Sequence, residues 1–294
     1  MRFLLLILAI SFYINTCHFS AAANNQNIGN EFTAADSIYL NLIGKADTAI
    51  AQQDWVGAES LLLSAIRSQP SNPANTLLLS NLAMIRFQQG NDSIALATIN
   101  DAYAIAPKSI TVLSNRARIN KAMGNIDDAY YDYAKIIELD STNIDAWYMH
   151  GMIALSKTDI NTALHDFNNL EQIAPNELLT FDALSTYYFY IQDFNKAIPY
   201  FRKLIALNNS ADYYYDKIIC LLFDDQLSEA SADINDALKL YPTNGKFYLL
   251  KAYLNRIYYR NSDAEIDIKK AIELGIPKQE AKVWLEMPLP NRKQ

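Results

Sequence analysis

Small and bulky apolar residues recur along the chain at a nearly constant interval. Seven times an alanine follows a short polar link and opens an amphipathic segment, and successive alanines are 37, 34, 34, 34, 33 and 34 residues apart. These alanines are Ala58, Ala95, Ala129, Ala163, Ala197, Ala230 and Ala264. Each is followed by a bulky apolar residue after four positions and by a further apolar residue after seven. Since these positions share one face of a helix, each segment is predicted to be an amphipathic α-helix.

A second helical segment precedes each of these helices. Twelve residues before each opening alanine lies a mostly small residue, at Ala46, Ala83, Ala117, Gly151, Ser185, Ile218 and Ala252. Short links, such as residues 90–92 and 124–126, separate the two segments. Small residues on facing helices let the backbones approach closely. The pattern therefore predicts seven helical hairpins that stack on their neighbours, because one hairpin alone cannot bury its apolar face.

The interval and the residues within it resemble those of the tetratricopeptide repeat family, whose unit has 34 residues. The fourth repeat matches the family pattern at Trp147, Gly151, Ala163, Phe167 and Pro175. His150 and Ala154 stand where the family has Leu and Tyr. The resemblance covers residues 34–276. It implies an all-α, right-handed superhelical solenoid of about seven tandem helix-turn-helix units.

The repeats are expected at about 34–70, 71–108, 109–142, 143–176, 177–209, 210–243 and 244–276. Within the terminal segment 277–294, a capping helix that contains Trp284 is predicted over residues 279–286. Pro288 and Pro290 should end this helix, and residues 291–294 should fray.

The first 23 residues have the form of a secretory signal peptide. Arg2 is followed by an apolar run over residues 3–14, which is too short to span a bilayer comfortably. Small residues at 21–23 predict cleavage near Ala23, with residues 24–33 as a polar tether. Lipidation at Cys17 and an uncleaved anchor are the alternatives. Cleavage or lipidation would make the protein exported, either periplasmic or associated with the cell envelope.

Composition agrees with a helical, non-catalytic chain. Hydrophobic residues make up 51% and charged residues 19%, which favours a buried core over disorder. With 8 Gly and 9 Pro, the chain has few residues for the tight turns of a sandwich, a barrel or a Rossmann sheet. The formal net charge of −7 opposes a nucleic-acid-binding helical repeat, which is kept as a remote alternative. Cys220 lies in an apolar helical stretch and is predicted to be a buried thiol.

The first helix of each repeat is expected to line the concave face, where helical spacing predicts a partner-binding groove. Its candidate residues are Tyr148, Met152, Thr186, Phe189, Tyr190, Tyr215, Ile219, Phe223, Leu249, Tyr253 and Arg256. Aromatic side chains of this kind suit the binding of an extended peptide or a partner helix. Packing of the same side chains between adjacent first helices is the alternative. The family's receptors for a C-terminal carboxylate use Lys, Asn and Arg in three consecutive repeats, and that set does not occur here.

The sequence contains no motif of an enzyme active site, so no catalytic residue, cofactor or metal is predicted. It lacks G-x-S-x-G, H-E-x-x-H and a glycine-rich phosphate loop. His150 and His165 lie in the two helices of one repeat, but a metal site is not expected there. The function predicted from the sequence is a non-enzymatic scaffold of the cell envelope that binds a protein or peptide. A lipid-anchored outer-membrane assembly factor is the alternative, with membrane contact only if Cys17 is lipidated.

Overall fold

The computed structural model describes residues 34–289, which form fifteen α-helices and, within that range, no β-strand. The helices are α1 (Ala34–Ala51), α2 (Trp55–Ser68), α3 (Asn75–Gln88), α4 (Asp92–Ile105), α5 (Ile110–Ala122), α6 (Ile126–Leu139), α7 (Ile144–Ser156), α8 (Ile160–Ile173), α9 (Leu178–Tyr190), α10 (Phe194–Leu207), α11 (Ala211–Phe223), α12 (Leu227–Leu240), α13 (Gly245–Ile257), α14 (Asn261–Glu273) and α15 (Lys278–Glu286). The first fourteen helices form seven consecutive hairpins, and α15 follows alone. The expected all-α tandem repeat is therefore confirmed.

The pattern of small and bulky residues corresponds directly to the core. All seven opening alanines are fully buried, because they lie where the two helices of a hairpin approach each other. The bulky residues four positions later are buried as well, at Leu62, Ile99, Tyr133, Phe167, Phe201, Ile234 and Ile268. The 34-residue period is thus a period of core positions.

Each hairpin turns through one residue in the left-handed backbone conformation. Gly90 and Gly124 supply it in two hairpins, whereas the other five use Gln53, Thr158, Gln192, Asp225 and Tyr259, with φ between 58° and 63°. The next residue donates a backbone hydrogen bond to the carbonyl five positions earlier, as in Asp159 N to Ala154 O at 2.9 Å. This is the arrangement of a Schellman motif, which satisfies carbonyls at a helix C-terminus. The chain can be poor in glycine because most of these turns do without it.

Contacts divide the described chain into two compact units. These are residues 34–166, here the N-terminal unit, and residues 167–289, here the C-terminal unit. The C-terminal unit contains the more continuous core, which extends from Phe181 to Trp284.

Helix α15 is the capping helix expected from the sequence and begins one residue earlier than predicted. It packs against α13 and α14 and buries Ala281 and Trp284. The Trp284 ring meets the edge of the Tyr253 ring at 5.8 Å. Helix α15 therefore covers the apolar face of the last hairpin.

Several predictions concern residues outside the described range of 34–289. They are the signal peptide, the tether, lipidation at Cys17, termination at Pro290 and fraying of residues 291–294. Within the described range, no helix is both long enough and apolar enough to cross a membrane.

Candidate partner-binding surface

The eleven predicted groove residues are distributed over four first helices. Tyr148 and Met152 lie on α7 in the N-terminal unit, and both are partly exposed. The other nine lie on α9, α11 and α13 in the C-terminal unit. That unit therefore contains most of the predicted surface and is described by itself.

Four of the predicted groove residues belong to the core and do not present a surface. Tyr215 and Ile219 on α11, and Leu249 and Tyr253 on α13, are all at most 3% exposed. The reason is that α11 is enclosed by α10, α12 and α13, while α13 is enclosed by α11, α12, α14 and α15. The alternative of packing between helices is the correct interpretation for these four residues.

Arg256 has a structural partner in the capping helix. One of its terminal guanidinium nitrogens donates hydrogen bonds to the carbonyl oxygens of Trp284 and Met287, both at 2.8 Å. The neighbouring Tyr253 hydroxyl donates to the carbonyl of Pro288 at 2.9 Å. Arg256 thus interacts with the last carbonyls of α15, where a cation is favourable.

The remaining candidates form a partly exposed aromatic patch, defined here as Phe189 and Tyr190 of α9 and Phe223 of α11. Phe189 contacts the ring of Phe194 at 5.9 Å, and Phe194 in turn contacts Phe223 at 5.8 Å. Thr186 lies one turn before Tyr190 on α9 and is also partly exposed. One side of these rings packs on the core while the other side remains accessible.

An acidic cluster beside this patch was missed by the sequence analysis. It consists of Asp182 on α9, Asp212 and Asp216 on α11, and the single cation Lys246 on α13. The ammonium of Lys246 lies 3.6 Å from the carboxylate of Asp212 and 5.4 Å from the centre of the Tyr215 ring. The four-residue spacing of Asp212 and Asp216, which puts both on one helical face, was the available signal.

The pKa of Asp216 is raised to about 7. Burial is the main cause, the negative charges of Asp212 and Asp182 raise it further, and Lys246 opposes the shift. Burial also raises the pKa of the adjacent Tyr215, as do the charges of Asp216 and Glu280. A carboxylate that is ionised only near neutral pH is therefore placed among other acidic groups.

Four hairpins carry an ion pair between their two helices, always between residues 16 positions apart. The cation lies on the first helix and the aspartate on the second. The pairs are Arg116–Asp132, His150–Asp166, Lys217–Asp233 and Lys251–Asp267. Most of these side chains are largely buried, so each carboxylate depends on its partner. We interpret them as structural contacts within hairpins.

The two histidines of the fourth hairpin meet at Asp166. Nδ1 of His150 lies 2.6 Å from one carboxylate oxygen, and Nδ1 of His165 lies 3.2 Å from the other. The ring of Tyr130 stacks on His150 with a centroid distance of 3.9 Å. In the described part of the chain, no group of three or more His, Cys, Asp or Glu side chains is placed to hold a metal ion.

Cys220 lies on α11 and is fully buried, as the sequence analysis predicted. Burial raises the pKa of its thiol, and the charges of Asp216 and Asp224 act in the same direction. The thiolate, which is the reactive form, is therefore disfavoured.

The fold and its regular hairpins define the class of the protein as a tandem helical-hairpin repeat, and comparisons with known proteins define the family. Two family models, both described as tetratricopeptide repeat, match residues 43–110 and 181–210. A tetratricopeptide repeat protein from Parabacteroides merdae is similar in structure, with 25% identity and a TM-score of 0.63. That match covers 85% of this chain and 98% of the other. The chain is a tetratricopeptide repeat protein.

Other solved structures share the fold at lower identity. YrrB, described as having an unusual peptide-binding site, has 20% identity and a TM-score of 0.54, over 64% of this chain and 98% of that one. PilF of Pseudomonas aeruginosa has 18% identity and a TM-score of 0.59, over 72% and 97% of the two chains.

Two curated relatives are considerably longer proteins. Anaphase-promoting complex subunit 3 of Schizosaccharomyces pombe is 22% identical over 68% of this chain, and human sperm-associated antigen 1 is 23% identical over 90%. The chain spans 30% and 31% of their respective lengths. The similarity therefore concerns a repeat array within each of them.

Proposed function

We propose that this protein is a non-enzymatic scaffold that binds a protein or an extended peptide along the first helices of its repeats. The observation that carries the proposal is the aromatic patch of Phe189, Tyr190 and Phe223. These rings remain partly exposed although four other predicted groove residues are buried. Aromatic side chains contribute large contact areas at protein interfaces, where they are often the residues that bind most strongly.

Two further observations support this function. A tetratricopeptide repeat fold presents the surface of several adjacent first helices to a partner, and YrrB, which shares the fold, is described as having a peptide-binding site. The buried carboxylates in the hairpins are paired with cations of the same hairpin. Because these carboxylates serve the fold, they are poor candidates for acid–base catalysis.

The envelope location is also part of the proposal. It depends on residues 1–33, whose apolar run and small residues have the form of an export signal. Mass spectrometry of the purified mature protein tests it. An unmodified N-terminus near Asn24 supports cleavage, and a lipid on Cys17 supports the anchored alternative. A mature protein that retains Met1 contradicts both.

Site-specific photo-crosslinking tests the binding surface. A benzophenone amino acid placed at Tyr190 should form adducts with the partner in envelope extracts, and one placed at Thr186 should do so as well. Tyr131, which is 52% exposed on the second helix α6, is the matched control position. Replacing Tyr190 with alanine should remove the adduct formed from position 186. Equal adducts from positions 186, 190 and 131, or none from the first two, would contradict the proposed surface.

A further inference from the structure

The acidic cluster of the C-terminal unit has a geometry that a solvated helix surface does not explain. Asp182 comes from α9, Asp212 and Asp216 from α11, and Lys246 from α13, so three first helices contribute to it. Three carboxylates therefore share one ammonium. That ammonium pairs with Asp212 at 3.6 Å, and Asp216 is outside ion-pair distance of it.

Asp216 is the carboxylate that lacks compensation. Burial and neighbouring charges account for its raised pKa, and no hydrogen bond contributes to that pKa. A desolvated carboxylate without a bonded partner is unfavourable for folding. The cluster therefore contains an acceptor that a cation from outside could satisfy.

The side chain of Tyr215 gives an independent indication of a missing partner. This side chain is only 3% exposed, and its hydroxyl has no hydrogen-bond partner among the described residues. The hydroxyl lies within electrostatic range of Asp216 and Glu280, and the ammonium of Lys246 is near the ring. Buried polar atoms are almost always hydrogen-bonded, so an unpartnered hydroxyl beside an uncompensated carboxylate points to a ligand that supplies donors.

We propose that this cluster of Asp182, Asp212, Tyr215, Asp216 and Lys246 receives a lysine or arginine side chain of the bound peptide. The inference rests on the proposed function and specifies the chemistry of the partner. An ammonium or guanidinium carries several donors and no acceptor, which matches the carboxylate of Asp216 and the hydroxyl oxygen of Tyr215. A metal ion is a poorer fit, because the described carboxylates are not grouped to hold one.

The position of the cluster relative to the aromatic patch predicts a spacing in the peptide. Phe223 lies seven residues after Asp216 on α11, which is two turns along the same helical face and about 10 Å at 1.5 Å per residue. An extended peptide covers about 10 Å in three residues. The partner should therefore carry a basic residue and an apolar or aromatic residue about three positions apart.

Selection from a displayed library of random nonapeptides tests this inference with the full chain as bait. Selected sequences should be enriched in Lys or Arg three positions from an apolar residue. Synthetic versions are then measured by fluorescence anisotropy, with glutamine in place of the basic residue as the comparison. We expect the glutamine peptide to bind at least about tenfold more weakly, equivalent to about 1.4 kcal/mol.

Two variants separate recognition from folding. Asp216→Asn removes the charge with little change in shape and should weaken binding of the basic peptide about tenfold. Glu265→Gln on α14 removes one exposed carboxylate elsewhere in the same unit and should leave the affinity unchanged. Circular dichroism should show that both variants are folded, so that a loss of affinity reports on the site.

The dependence of affinity on pH gives a second readout. A cation binds the ionised form of Asp216, so wild-type affinity should rise about tenfold between pH 6 and pH 8, given a pKa of about 7. The groups that face Asp216 are Asp212 on its own helix, Asp182 on α9 and Lys246 on α13, with Cys220 one turn away. Asp216→Asn should abolish this dependence.

The outcomes distinguish this inference from the proposed function. Selected peptides that lack basic residues and bind Asp216→Asn as tightly as wild type would overturn the assignment while leaving peptide binding intact. A library that yields no binder, together with no crosslink from position 190, would overturn the proposed function itself.

Discussion

Replacing Asp216 with asparagine should stabilise the fold. The pKa of this carboxyl is raised from an ordinary value of 3.8 to about 7, mainly by burial. Below about pH 4 the carboxyl is protonated in both the folded and the unfolded state and costs nothing. As the pH rises from 4 to 7, the unfolded chain loses the proton while the folded chain retains it, so wild-type stability falls. Asparagine has a similar shape and does not ionise, so it avoids this loss.

The size of the effect follows from the shift in pKa. About three pKa units at 1.36 kcal/mol each correspond to about 4 kcal/mol at pH 7 and above. This is an upper value, because any water that reaches the ionised carboxylate lowers the cost of burying it. The advantage of the variant should increase by about 1 kcal/mol between pH 6 and pH 8, where the folded protein completes its ionisation.

Urea unfolding of the full chain, followed by circular dichroism at pH 6, 7 and 8, measures this effect. The unfolding midpoint of Asp216→Asn should exceed that of wild type at each pH, and by most at pH 8. Glu265→Gln on α14 is the control, because an exposed carboxylate should change stability by less than about 0.5 kcal/mol.

An Asp216→Asn midpoint equal to or below that of wild type would refute the reasoning. A gain of the same size at all three pH values would refute it as well, since such a gain would not come from ionisation. If the variant is more stable and also loses basic peptides, the carboxylate stabilises a bound partner at the expense of the free fold.

Three further predictions follow from contacts within the repeats. Thr158→Gly should raise stability by about 1 kcal/mol in urea unfolding, because a β-branched residue is strained at its φ of 63°; an unchanged midpoint would contradict this. Arg256→Ala should speed amide hydrogen exchange in α15 and leave α5 unchanged, because the carbonyls of Trp284 and Met287 lose their donor; unaltered exchange in α15 would show that packing alone holds it. His150→Leu should cost about 3 kcal/mol by removing the main partner of buried Asp166, whereas His165→Gln should cost less than 1 because His165 is mostly exposed; equal losses would contradict this assignment.

The repeat architecture could be predicted from the sequence because its signal is both local and periodic. An alanine that is fully buried in every hairpin, such as Ala58 or Ala264, recurs with little variation, and only close packing of two helices requires it. The capping helix was predictable for a similar reason, since the apolar face carrying Trp284 ends before a proline. The left-handed turns at Thr158 and Gln192 were not predictable, because the usual signal at such positions is glycine.

The candidate surface was only partly predictable. Helical spacing selects the residues on one face, but it does not tell whether a neighbouring helix covers that face. For this reason Leu249 and Tyr253 were included with Phe189, although α15 and the adjacent helices bury the first two. The sequence also gave no sign that Asp216 differs from the other acidic residues, because its raised pKa depends on α9 and α13, which are distant in sequence.

Helix α15 has a consequence for how copies of this protein meet. It contacts α13 and α14 in the same manner as α13 contacts α11 and α12, so it occupies the place of a further first helix. Its outer side carries exposed Lys278, Lys282 and Glu286 instead of the apolar residues that another hairpin would need. A second copy therefore finds a charged, hydrated surface at this end, and head-to-tail polymerisation through the last repeat is blocked.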